Sequence, residues 1–195
     1  MAESIVTSNE LRFILCAQGY NLTHQFVIRE IGFCGKGISG SIPVNSRINK
    51  KKLDINNQLI VNYFEDEIHG IKLSKKFKDG LCSSDLRVII KTLYNIFPKD
   101  DGQYIGIMKD ELMSGIIYQA GINYKFIEVH QPLSDNIYNI PEYTSNDSFK
   151  LWIENNKENY KYCQIHDDLK NNNLPLCSKS KAEYVANNFN LLKIN

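Results

Sequence analysis

Neither sign of charge is in surplus in this sequence. Lys plus Arg total 23 against 22 Asp plus Glu, a formal net charge of +1, which argues against a protein that coats nucleic acid by net charge alone. The one basic run, Arg47-Ile48-Asn49-Lys50-Lys51-Lys52, reads as a solvated loop. Long apolar runs are missing as well. Phe13-Ile14-Leu15-Cys16-Ala17 falls far short of the roughly 20 residues that cross a bilayer, and no secretory signal is visible. Five cysteines are an odd number in a chain of this length and do not make a small disulfide scaffold. A reducing, intracellular setting is expected, cytoplasmic or nuclear, with some thiols in the core and some on metal. There is no internal repeat. Gly35-Lys36-Gly37-Ile38-Ser39-Gly40 lacks the Lys-Ser/Thr of a phosphate loop and reads as a hairpin turn.

What is present fits one domain. Hydrophobic residues make up 43% of 195, enough for a sizeable core. Residues 1–10 are polar and expected to fray; the domain is expected over 11–192. Leu11 to Ala17 reads as a buried strand ended by a turn at Gly19-Tyr20-Asn21. Gln25 to Cys34 reads as a second strand, with Phe26, Ile28 and Glu30 on one face and Val27, Ile31 and Phe33 shifting across. Ile38 to Val44 is a third. Leu59 to Asp66 is ambiguous between helix and strand. Ser83-Ser84-Asp85 opens a helix by offering side-chain acceptors to free backbone amides; Leu86, Ile89, Ile90, Leu93 and Phe97 follow on one face, and Pro98 ends it. A strand over 103–108, a helix over 110–120, a strand over 122–129 and a short helix near Trp152 follow, with a Pro-, Asn- and Ser-rich excursion at 131–148. The last helix starts at Ser178, with Ala182, Val185, Ala186 and Phe189 on one face. A meander of three antiparallel strands followed by strand-helix-strand units predicts an α/β mixed sheet flanked by helices.

Chemistry concentrates near the C-terminal helix. Cys163-x-x-His166 sets two ligands on one turn, and Cys177 follows after an Asn-rich loop. Zinc takes four such donors in a tetrahedron. The fourth must come from far away in sequence: Glu30 is the first choice, His130 the second and Cys16 the third. Four protein ligands leave no position for water, so the zinc would be structural and would pin the last helix to the sheet. His24 and His69 have no acid partner at a telling spacing, and surface or core roles are expected for both. Cys34 and Cys82 read as ordinary buried or half-buried thiols.

Two resemblances follow from these residues. Phe13 to Gly19 and Gln103 to Leu112 look like the first strand and the fourth strand-to-helix unit of DEDD-type exonucleases, which are ribonuclease-H-like. Such enzymes hold paired cations on acids at the positions of Cys16 and Gln18 and on another near Lys181. Here those positions carry a thiol, an amide and a lysine, and Asp110 alone keeps an acid. The chain also resembles the Maelstrom domain of the animal piRNA pathway, which lacks most exonuclease acids and carries a Glu-Cys-His-Cys zinc site. Glu30, then His69 and His130, then Cys163, His166 and Cys177 match that order across residues 11–192. The resemblance implies a ribonuclease-H-like fold, a structural zinc on Glu30, Cys163, His166 and Cys177, and no catalytic residues of the two-metal kind. It also implies a module that binds single-stranded RNA or a protein partner in RNA silencing, transposon or virus biology. An RNA nuclease without the two-metal site is the alternative. A self-associating structural or viral accessory protein is a further one, since little like-charge repulsion opposes a homo-oligomer.

Overall fold

The computed structural model describes residues 11–97, 104–108, 125–129 and 177–188, with 155, 163, 165 and 166. Its strands are β1 (Leu11–Leu22), β2 (Gln25–Gly35), β3 (Ile38–Asn45), β4 (Leu81–Cys82), β5 (Tyr104–Met108) and β6 (Lys125–Val129). They stand side by side in the order β4-β3-β2-β1-β5-β6. β1, β2 and β3 form an antiparallel meander, and β5 and β6 extend it in parallel from β1. β4 is a two-residue parallel bridge to β3. The sheet is thus mixed, five long strands and a short edge, with helices against it: an α/β fold. β1, paired on both sides, lies near its centre and is buried along almost its whole length.

β1 runs past the turn expected at Gly19-Tyr20-Asn21 and reverses at Thr23 and His24 instead. Gly19 is needed here for space. A Cβ on it would lie 2.1 Å from the Val27 carbonyl oxygen on β2. Tyr20 is fully buried and donates its hydroxyl to the Ile71 carbonyl, so this Gly-Tyr pair serves the strand interior.

A β-bulge in β2 sets the layout of the whole sheet. Gln18 pairs with Glu30 and Gly19 with Ile28, which leaves Arg29 without a cross-strand partner. One extra residue switches the alternation of side chains. Phe26 and Ile28 before the bulge, and Ile31 and Phe33 after it, all pack in the same core cluster. Glu30 therefore does not share a face with Phe26 and Ile28, as strict alternation predicts, but points to the opposite side, with Gly32.

On the first face lies α2 (Leu86–Ile96). Its buried Leu86, Ile89, Ile90 and Leu93 pack on Phe13, Leu15, Ile28, Ile31, Val44 and Ile105. Phe97 stacks on Phe13 with ring centroids 4.7 Å apart and is extended at ψ 133°, the conformation forced on a residue before proline. Ser83–Asp85 form a single 3-10 turn rather than the first helical turn, and Asp85 reaches back to accept from the Cys82 amide.

The other face carries two helices. α1 (Ile55–Tyr63) settles the ambiguous 59–66 stretch as helix. Asp54 caps it by accepting from the Asn57 amide at 2.9 Å, and a π-turn over Phe64–Ile68 continues it. Val61 packs with Tyr20, Leu22, Val27 and Leu73. α3 (Ser178–Asn188) lies against β2 and β1, with Ala182, Val185 and Ala186 fully buried. The helices expected over 110–120 and near Trp152, the excursion at 131–148, the frayed 1–10, and Asp110, His130 and Phe189 lie outside the described residues.

Candidate metal centre

The four ligands expected from sequence meet on the α3 face of the sheet. Glu30 arrives there because of the bulge. Cys163 and His166 share one turn, closed by the His166 amide donating to the Cys163 carbonyl at 3.0 Å. Cys177 directly precedes α3, and its carbonyl accepts the Lys181 amide at 2.9 Å. Gly32, two residues past Glu30 on the same face, lets the helix come this close. A Cβ there would lie 2.0 Å from the Ser178 carbonyl carbon. The Ser178 amide, at the positive end of α3, donates to Glu30 Oε2 at 2.8 Å.

One donor atom from each of the four residues lies within 4.8 Å of the other three, and all four residues are buried. Cys163 Sγ is 3.0 Å from Glu30 Oε1 and 3.0 Å from His166 Nδ1. Glu30 Oε1 is 3.8 Å from His166 Nδ1 and 3.8 Å from Cys177 Sγ. His166 Nε2 donates to the His69 carbonyl at 3.1 Å, so Nδ1 is the nitrogen turned to the centre. A second bond that orients the imidazole is the usual support of a metal-bound histidine. Ile71, Ile165 and Phe77 wrap the cluster in apolar surface. Two sulfurs, a nitrogen and a carboxylate oxygen aimed at one point could hold a metal ion.

The electrostatics favour a cation. Burial, and then the neighbouring Cys177, push Glu30 up to about 7 from an ordinary 4.5. The Cys163 thiol is pushed up by its hydrogen bond to Cys177 and by burial. Cys177 is held well below the usual thiol range, first by that bond from Cys163 and then, against burial, by His166. Burial pulls His166 down, yet its bond to Cys177 and the charge of Glu30 outweigh it and the net shift is upward. Without metal, a carboxyl, two thiols and an imidazole crowd one buried site, and the upward shifts of Glu30 and Cys163 oppose their charged forms. A divalent cation removes the conflict, because it favours every donor in its deprotonated form.

The remaining candidates fall elsewhere. Cys16 is buried on β1 but does not belong to the four-residue cluster. Gln18, across from Glu30, is buried and neutral, and Lys181 is half-buried on α3. His69 is fully buried and satisfied at both nitrogens: Nε2 donates to the Gly19 carbonyl at 3.2 Å and Nδ1 accepts from the Ile71 amide at 3.0 Å. Burial lowers its pKa to about 3. Its contribution to the centre is its backbone carbonyl, which holds His166. His24 is exposed; Cys34 is buried and Cys82 half-buried. Sequence reasoning missed His69 as the anchor of His166, the Ser178 amide on Glu30 and the role of Gly32. Only the last had a visible signal, a glycine at i+2 from the acidic ligand. Among the described residues no helix is long and apolar enough to cross a membrane. Compared with family models, curated proteins and solved structures, the chain matches none.

Proposed function

We propose that the protein is a non-catalytic, ribonuclease-H-like module of the Maelstrom type, clamped by a structural zinc, that binds single-stranded RNA. The observation that carries this reading is the closed Glu30-Cys163-His166-Cys177 cluster. Zinc bonds of about 2.0–2.3 Å give tetrahedral edges of roughly 3.3–3.8 Å; four of the donor pairs lie 3.0 to 3.8 Å apart and all four donor atoms lie within 4.8 Å of one another. Donor set, spacing and burial all suit a zinc whose role is to fasten α3 to β2. The meander with parallel strands added beside β1 is the strand arrangement that the ribonuclease-H-like reading requires. Cys16 and Gln18, both buried and uncharged, support the non-catalytic part, since paired cations need several carboxylates.

A titration of labelled single-stranded RNA at two salt concentrations, with electrophoresis of the same RNA after incubation with and without chelator, tests it. Binding without cleavage is expected. Cleavage would favour the nuclease alternative, and no binding would remove the RNA reading. A protein partner is the second reading, favoured by α1: Ile55, Leu59 and Tyr63, spaced four apart, are 77%, 61% and 56% exposed. Loss of a pulled-down partner on Leu59→Glu, with RNA binding intact, would support it.

A further inference from the structure

The basic run Arg47 to Lys52, read from sequence as a solvated loop, forms one wall of a pocket of about 540 Å3. Arg47, Lys50 and Lys51 line it on that side and Lys76 on the other, with Ile48 and Leu73 as its apolar part. Among the described residues no acidic side chain lines it. In a chain of net charge +1, four cations around one concavity are a local concentration of positive potential. The volume falls within the roughly 300–1,000 Å3 typical of small-ligand sites.

The wall opposite the run is neither helix nor strand, yet buried side chains fix it. Ile71 to Gly80 is tied in place at almost every second residue. His69 Nδ1 accepts from the Ile71 amide, Tyr20 donates to the Ile71 carbonyl, and Glu65 accepts from the Leu73 amide at 2.7 Å. Arg29, the bulge residue, donates from Nη2 to the Lys75 carbonyl at 2.6 Å. Asn45 accepts from the Phe77 amide and donates to the Phe77 and Gly80 carbonyls. On the other wall, Asn49 caps the turn Lys50–Lys52 by accepting from the Lys51 amide, and Lys50 pairs with Glu65 at 2.7 Å. Glu65 thus links the two walls. Arg47 and Lys51 are exposed and, among the described residues, make no ion pair. A solvated loop needs no such scaffold.

We propose that this pocket binds the phosphate of a nucleotide, carried by single-stranded RNA. Lys50 is held by Glu65 and Lys76 donates to the Ser46 carbonyl, so Arg47 and Lys51 take the phosphate, and Ile48 and Leu73 offer apolar surface to the sugar or base. The RNA part rests on the function proposed above; the phosphate site does not.

The test is a binding titration of the full-length, zinc-loaded protein against three probes: a single-stranded RNA 10-mer, AMP and inorganic phosphate. Arg47→Gln with Lys51→Gln removes two exposed pocket charges. Arg87→Gln with Lys91→Gln removes two exposed charges from α2 on the opposite face of the sheet. The pocket pair should weaken RNA binding about tenfold or more and flatten the salt slope by about 1.4, at about 0.7 per single-strand phosphate released. The α2 pair should change neither, and Arg47→Lys with Lys51→Arg should retain most of the affinity. RNA binding that the two neutralised pairs weaken equally, or that the pocket pair leaves intact, overturns the site and leaves the RNA reading standing. Pocket-dependent binding of AMP or phosphate without RNA binding keeps the phosphate site and overturns RNA as its bearer. Failure of all three probes overturns both.

Discussion

The two faces of the sheet are held by different physics. Against α2 the contacts are almost wholly apolar: Phe13, Leu15, Ile28, Ile31, Ile89, Ile90 and Leu93 exclude water by area. Against α1 and α3 the same sheet buries Arg29, Glu30, His69 and His166. Arg29 makes a single hydrogen bond from Nη2, while its Nε and Nη1 make none among the described residues. Burial of an acid and a guanidinium opposes folding unless partners compensate. The apolar face is stable on its own terms. The polar face gathers four buried donors that could hold a cation, and two of them, Glu30 on β2 and Cys177 just before α3, lie where the C-terminal helix starts its packing on β2.

Removing the metal separates the faces most strongly. Chelation of the zinc-bound protein, or Cys177→Ser, should lower Tm by roughly 15 °C or more, since each kcal/mol of lost binding is worth about 2–4 °C in a chain of this size. The chelator effect should grow from pH 5 to pH 8. Glu30 has its folded pKa raised from 4.5 to about 7 without metal, so its contribution to the metal-free form is fully present below 4.5 and is lost as pH rises through 7. The metal-bound form gains over the same range, because protons compete less for the ligands. Scanning calorimetry with and without chelator at several pH values reads both; a chelator effect that shrinks with pH contradicts the scheme.

On the apolar face, Ile90→Ala opens a cavity under α2 and should cost about 2–5 kcal/mol, roughly 4–20 °C in Tm. That drop should be the same with chelator and without, because Ile90 and the centre lie on opposite sides of the sheet and sites without shared partners add. A drop that depends strongly on metal would erase the distinction between the faces.

A further effect is confined to acid. His69 has a folded pKa depressed to about 3 from 6.5. Its contribution is present above 6.5 and is lost as pH falls toward 3, at up to about 1.4 kcal/mol per pH unit. Glu30 and His166 nearby are shifted upward, and the comparison that isolates His69 is between chelated wild type and chelated His69→Gln. Urea melts should show a steeper acid loss for the wild type; parallel slopes would place the pH sensitivity elsewhere on this face.

The difference between the faces also explains what could be read from sequence. The α2 face was legible because its signals are periodic: Leu86, Ile89, Ile90 and Leu93 repeat at helical spacing, and the residue before Pro98 ends the helix. The three meander strands and the start of α3 were legible for the same reason. Cys163-x-x-His166 and Cys177 announced themselves by residue type. The bulge at Arg29 left only a trace, the apolar residues of β2 shifting from even to odd positions. It placed Glu30 on the face opposite to that of Phe26 and Ile28. Gly19-Tyr20 read as a turn because glycine's local signal is the same for a turn and for a close backbone approach. The Ile71–Gly80 wall was illegible, since its order comes from side chains of Tyr20, Arg29, Asn45 and Glu65 brought from elsewhere in the chain.

X-ray absorption at the zinc edge of protein purified without chelator reads the centre directly. The expected spectrum is one zinc per chain, four-coordinate, with two sulfurs at about 2.3 Å and two light donors at about 2.0–2.2 Å. Glu30→Gln should lengthen or remove one light-donor distance and leave both sulfurs. Folded wild-type protein that holds no zinc, or a zinc with no sulfur neighbours, would contradict a structural centre on Glu30, Cys163, His166 and Cys177.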